Sequence, residues 1–152
     1  MTEQLSMSEH AIVIEREFDA PRELVWKMWT DPDEVAKWWG PEHFMTPREK
    51  IEFDLRPGGV ARMTMVGPDG TEYPDDGHFR VVEPPSRLAF GEDSTEHEMI
   101  ESVETSVEFI DLGDGRTKVV VTSKLVCADE LVDMAKAGWS SQLDKLVALL
   151  AA

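Results

Sequence analysis

Residues Ala128 to Ala152 read ADELVDMAKAGWSSQLDKLVALLAA. Leu131, Ala135, Gly138, Trp139, Gln142, Leu143, Leu146 and Leu150 recur in steps of three and four, which lays them along one helical face. The spacing predicts one long amphipathic helix. Gly138 breaks the pattern, since glycine inside a helix costs about 1 kcal/mol. Close approach of another backbone or of a ligand is its expected reason. A helix with one apolar stripe needs a surface to cover, and the residues before it supply one.

Working back from the helix, Thr117–Val126 (TKVVVTSKLV) and Glu101–Leu112 read as strands, the latter with Val103, Thr105, Val107 and Phe109 on one face. Gly113-Asp114-Gly115 joins them as a hairpin. Arg87–Gly91, Gly77–Val82, Val60–Val66 (VARMTMV) and Lys50–Arg56 (KIEFDLR) are further strands, separated by the turn clusters EPPS, GPDG and PGG. Glu92–Glu98 is acidic and loop-like, and His10–Phe18 (HAIVIEREF) is the first strand. After it, Pro21 opens a helix over RELVWKMWT, and Asp31-Pro32 starts a second that runs to Gly40. Consecutive hairpins imply an antiparallel sheet. The fold class is therefore α+β: a curved antiparallel sheet wrapped around the C-terminal helix, with two short helices after strand one. Residues 1–9 are read as a flexible N-terminus and 10–152 as a single domain. Where the sheet curves beyond what the helix fills, a cavity is expected.

Composition narrows the function. Lys plus Arg total 15 and Asp plus Glu 31, a net charge of −16. That excludes nucleic acid as the main partner and disfavours anionic membranes, both of which select basic faces. No apolar run approaches the roughly 18 residues of a membrane span. The opening MTEQLSMSEH lacks the basic and apolar regions of a secretory leader, so a cytoplasmic protein is expected. Cys127 is the single cysteine, which rules out an internal disulfide. It reads as a small apolar residue at a strand end, or as a reactive thiol if the helix start beside it acts on it.

The segments FDAPRELVWKMWTDPDEVAKWWGP (Phe18–Pro41), FDLRPGG (Phe53–Gly59), GPDG followed by Tyr73-Pro74, EPPSRLAF (Glu83–Phe90) and GWSSQLDKL (Gly138–Leu146) occur together in this order. In this the sequence resembles the family of homologues of the activator of heat-shock-protein-90 ATPase, within the START-like (SRPBCC) superfamily. The resemblance implies the helix-grip fold and a deep pocket between the long helix and the concave sheet, its mouth near the two short helices. It transfers no catalytic residues and no cofactor. It implies carriers of small hydrophobic molecules, occasional catalysts of the polyketide cyclase or dehydratase kind, and chaperone-interacting modules.

The residues themselves point the same way. Trp39, Phe44, Met63, Met65, Phe79, Phe90, Met134 and Trp139 are the candidate ligand-binding residues: large, apolar and, for methionine, adaptable. Each also serves as ordinary core packing. Adjacent Trp38 and Trp39 point about 100° apart on a helix, so one seals the core while the other reaches the cavity mouth. His10, His43, His78 and His97 show no metal-binding spacing, and no metal is expected. His43 is the histidine best placed for acid–base work, with a solvated loop position the simpler reading. Glu52, Asp54 and Arg56 alternate with Ile51, Phe53 and Leu55; on a concave face the charged set would select a polar ligand group, and on the convex face, the simpler reading given its apolar partners, it is solvated. No Ser-His-Asp set, phosphate loop or dinucleotide fingerprint is present. The reading is a non-catalytic binding protein for a small hydrophobic molecule. The alternatives are a cyclase- or dehydratase-like enzyme using the same cavity and a module that docks on a chaperone or on itself.

Overall fold

The computed structural model describes residues 7–92 and 100–151. Its elements are β1 (Met7–Phe18), α1 (Arg22–Thr30), α2 (Pro32–Val35), β2 (Glu52–Phe53), β3 (Val60–Val66), β4 (Glu72–Glu83), β5 (Arg87–Glu92), β6 (Ile100–Gly113), β7 (Arg116–Ala128) and α3 (Val132–Ala151). The seven strands form one antiparallel sheet in the order β1-β7-β6-β5-β4-β3-β2. Every neighbour after β7 is a hairpin neighbour, and β1 closes onto β7 from the far end of the chain. The class is α+β with the helix-grip arrangement.

Most elements follow the sequence signals, and the departures have local causes. β1 begins at Met7, three residues before His10, because Met7, Ser8 and Glu9 pair with Ala128, Cys127 and Val126. α2 stops at Val35 rather than Gly40. The amides of Trp38 and Trp39 both reach back to the Val35 carbonyl, so the chain turns instead of continuing, and Gly40 then takes φ +103. β2 keeps two residues of the expected Lys50–Arg56. Beyond Phe53 the backbone closes a tight loop, Asp54 N–H to the Val60 carbonyl and Gly59 N–H to the Arg56 carbonyl. Of the acidic stretch expected to be a loop, Glu92 is the last residue of β5, and residues 93–98 lie outside the described residues.

The anticipated face of α3 is the buried one: Leu143 and Leu146 are fully enclosed and Gln142 nearly so. α3 packs mainly on β1, and Arg16 of β1 fixes it through Nε to Asp144 at 3.2 Å and a guanidinium N–H to Ser140 Oγ at 2.8 Å. A seven-stranded sheet spans about 29 Å across its strands and a helix about 10 Å. One helix therefore cannot cover the inner face. α1 and α2 cover the rest, α1 over β6 and β7 and α2 with its following turn over the β2–β5 half. Gly138 is not a close approach: a methyl group there would meet only Pro41 Cγ, at an ordinary 3.7 Å.

Candidate functional site

Four of the five tryptophans, Trp29, Trp38, Trp39 and Trp139, meet beneath the short helices, and Trp26 adjoins them through Phe109. Trp29 and Trp38 lie edge to face at 4.8 Å, and Trp38 and Trp39 at 5.2 Å. Trp139 stacks on Trp29 at 6.2 Å with 18° between planes and meets the edge of Trp39 at 5.7 Å. Trp39 in turn meets Phe90 of β5 at 6.0 Å. Edge-to-face and offset geometries are the favoured ones for ring quadrupoles, so this cluster is stable packing in its own right. The tandem pair splits in direction. Trp38 is fully buried and donates its indole N–H to the Met28 carbonyl at 2.8 Å, while Trp39 turns toward the sheet.

A small hollow remains between this cluster and the β2–β5 half of the sheet. Trp29, Val35, Trp39, Phe53, Ala61, Met63, Phe79, Leu88 and Phe90 line it. Its volume is about 10 Å³, roughly the space of one water molecule. The deep pocket expected between α3 and the sheet is thus not open. The rings of the short-helix segment fill it, and the residual space lies under α2 rather than under α3, because α3 sits toward β1.

Four of the eight candidate residues converge on this hollow: Trp39, Met63, Phe79 and Phe90. Trp139 stands behind it, against Trp29 and Trp39. Met65 and Phe44 lie outside its lining, beside Gly40, where Phe44 also faces Tyr73 at 5.7 Å. Met134 does not belong: it is 69% exposed, on the outer side of α3. His97 lies outside the described residues. Trp29, Val35, Phe53, Ala61 and Leu88 complete the lining without having been singled out. Period-two alternation signals Ala61 through Met63, but nothing in the sequence separates Trp29 from an ordinary core residue.

Polar residues of α3 hold the backbone just after Trp39. Gln142 Oε1 accepts the Gly40 N–H at 3.0 Å, and Ser141 Oγ accepts the Glu42 N–H at 2.8 Å. Lys145 donates to the Gly40 carbonyl at 2.9 Å, and its burial holds the ammonium below its ordinary pKa. His43 points away, 74% exposed beside Glu42, which fits the solvated reading. Glu52 and Asp76 pair with Arg62, and Arg56 with Asp54, all at the surface. Cys127 is fully buried, and burial pushes its thiol up, the opposite of activation. Among the described residues no cluster of three or more His, Cys, Asp or Glu side chains is placed to hold a metal ion, and no helix is long and apolar enough to cross a membrane. A larger, open recess of about 460 Å³ lies at the other end of the sheet, around His10, Glu92, Glu104, Lys124 and Leu125. Its lining is mixed and partly charged.

One carboxyl on the inner face is unusual. Asp75 stands opposite Met63 in the β3–β4 register, half-buried, and shares a side-chain hydrogen bond with Glu92. Glu92 Oε1 also accepts the Asp76 N–H at 2.8 Å. Burial, then the Glu92 hydrogen bond and charge, then the Asp76 charge, push Asp75 well above the usual carboxylate range. A raised folded-state pKa means that the native protein holds a proton the unfolded chain releases. Stability from this group is therefore present at low pH and lost as pH rises through the folded value. Asp75→Asn, which keeps the shape and removes the charge, is expected to raise the melting temperature at pH 8 by a few degrees. Near pH 4 the gap should close. Melting curves at both pH values check this, and a variant less stable than wild type at pH 8 would refute it.

Relatives by structure share the fold. A Chromobacterium violaceum protein superposes with a TM-score of 0.82 at 24% identity, covering 92% of this chain and 96% of its own. The AHSA1 protein of Silicibacter pomeroyi gives 0.79 at 25%, covering 93% and 98%. A Mycobacterium smegmatis protein gives 0.74 at 28%, covering 92% and 90%. No curated protein matches the sequence significantly. The family model for Activator of Hsp90 ATPase homolog 1-like proteins matches residues 19–151, spanning both short helices, six strands and α3, and the chain belongs to that family.

Proposed function

We propose that the protein binds a small, neutral, apolar molecule in the hollow between the Trp29–Trp39 cluster and the β2–β5 half of the sheet. The observation that carries this is the convergence of Trp29, Trp39, Met63, Phe79 and Phe90 on one unfilled space. Ligand sites are concave and mainly apolar, with few polar groups. The free protein is the closed form. A guest enters by displacing Trp39, which lies at the end of a turn and retains 9% exposure. Withdrawing an aromatic ring from the core costs about 2–3 kcal/mol. That cost lowers the apparent affinity by the fraction of molecules that are open.

Tetralin, a neutral bicyclic hydrocarbon, tests the reading by calorimetric titration. Wild type should bind it saturably and weakly. Trp39→Ala should bind it at least tenfold tighter, because the opening cost is gone. Binding confined to the variant, or absent from both, would overturn the proposal. The enzymatic alternative has one supporting observation: Asp75, a carboxyl favouring its protonated form, stands opposite Met63 in the register but outside the lining of the closed hollow, so it would serve as a proton donor only to a guest that extends past Met63.

A further inference from the structure

The Trp29 side chain is 3% exposed and lines the hollow, yet its indole N–H has no hydrogen-bond partner among the described residues. The contrast with its neighbour is sharp: Trp38 Nε1 donates to the Met28 carbonyl at 2.8 Å. Buried donors are nearly always satisfied, and leaving one unmade is unfavourable. A trapped water is a poor remedy here. It would need two to four polar partners, and beyond the weak Met63 thioether the lining side chains offer no acceptor. No carboxylate, amide or hydroxyl side chain lines the space.

Resting on the binding reading above, we infer that Trp29 Nε1 is the polar anchor of the site. The ligand is then a neutral, flat, mainly hydrocarbon molecule carrying one hydrogen-bond acceptor, such as a ring ketone. A charged group is excluded because nothing in the lining would compensate its desolvation. A ligand rich in donors is disfavoured for the same reason, since the lining returns no acceptor. The indole N–H thus selects among apolar guests of equal size: the guest that supplies an acceptor satisfies a donor left unpaired in the free protein.

The test compares tetralin with 1-tetralone, which differs by one carbonyl oxygen. Wild type should bind tetralone at least about tenfold tighter. The Trp29 indole proton, followed by nitrogen–proton correlation NMR, should move downfield with tetralone and not with tetralin. Trp29→Phe keeps an aromatic ring and removes the N–H, so it should bind both probes equally. Equal affinities in wild type, or an indole proton unmoved by saturating tetralone, would overturn the anchor while leaving the apolar site standing. Failure of both probes to bind would instead remove the site itself. The NMR result on wild type stands even if the variant folds poorly.

Discussion

Trp38→Ala is expected to lower the unfolding free energy by about 3–5 kcal/mol. Trp38 is the largest side chain fully shielded from solvent, and it ties α1 to the turn that follows α2. Its ring meets Trp29 of α1 at 4.8 Å and Trp39 at 5.2 Å. Its N–H satisfies the Met28 carbonyl near the end of α1. Alanine removes the burial, opens a cavity and leaves that carbonyl without its indole donor. Domains are stable by only about 5–15 kcal/mol, so the variant should melt roughly 6–20 °C lower. Trp38→Phe should recover more than half of the loss, since most of it is burial. A loss below about 1 kcal/mol for alanine in urea denaturation would show that the cluster is not the keystone of this half of the molecule.

Gly91→Ala is expected to destabilise by about 3 kcal/mol, the upper part of the range for overpacking. A methyl group at Gly91 would lie 2.3 Å from the Val103 carbonyl oxygen and 2.9 Å from Glu104 Cα. Both are backbone atoms of the adjoining strand, so relief requires parting β5 from β6. On the other side His78 of β4 is the register partner of Gly91, and a methyl added at the neighbouring Gly77 would sit 2.9 Å from the Gly91 carbonyl oxygen. Glycines in strand interiors often mark such close backbone approach. By contrast, Gly70 has open space around it, and its φ of +86 makes alanine there a matter of backbone strain alone. Paired urea melts of the two alanine variants check the distinction. Equal, small losses would contradict it.

How much of this was legible beforehand depended on the range of the signal. Strand alternation in Glu101–Leu112 placed Val107 and Phe109 on the buried face, and the i, i+3, i+4 pattern of α3 named Leu143 and Leu146. Those signals are local and need no knowledge of neighbours. The division of the inner face between helices was not legible, because it depends on sheet width against helix width and on where α3 docks. The same limit explains Met134, whose residue type suits a binding site but whose helical position faces solvent. It explains Trp29 too. Its spacing with Val25 and Met28 marks a core helix face, and only coordinates show that its N–H lacks an acceptor. Asp75 is similar: alternation from Phe79 puts it on the inner face once the strand is extended back past Gly77, but its meeting with Met63 and Glu92 depends on the register between strands.

If a guest binds as proposed, the aromatic plug gives way to it. The most direct test is the set of intermolecular nuclear Overhauser contacts in wild-type protein saturated with tetralin. Contacts from the probe to the ring protons of Trp29, Trp39 and Phe90 and to the Met63 methyl group are expected. Contacts confined to the recess around His10 and Leu125 would contradict it.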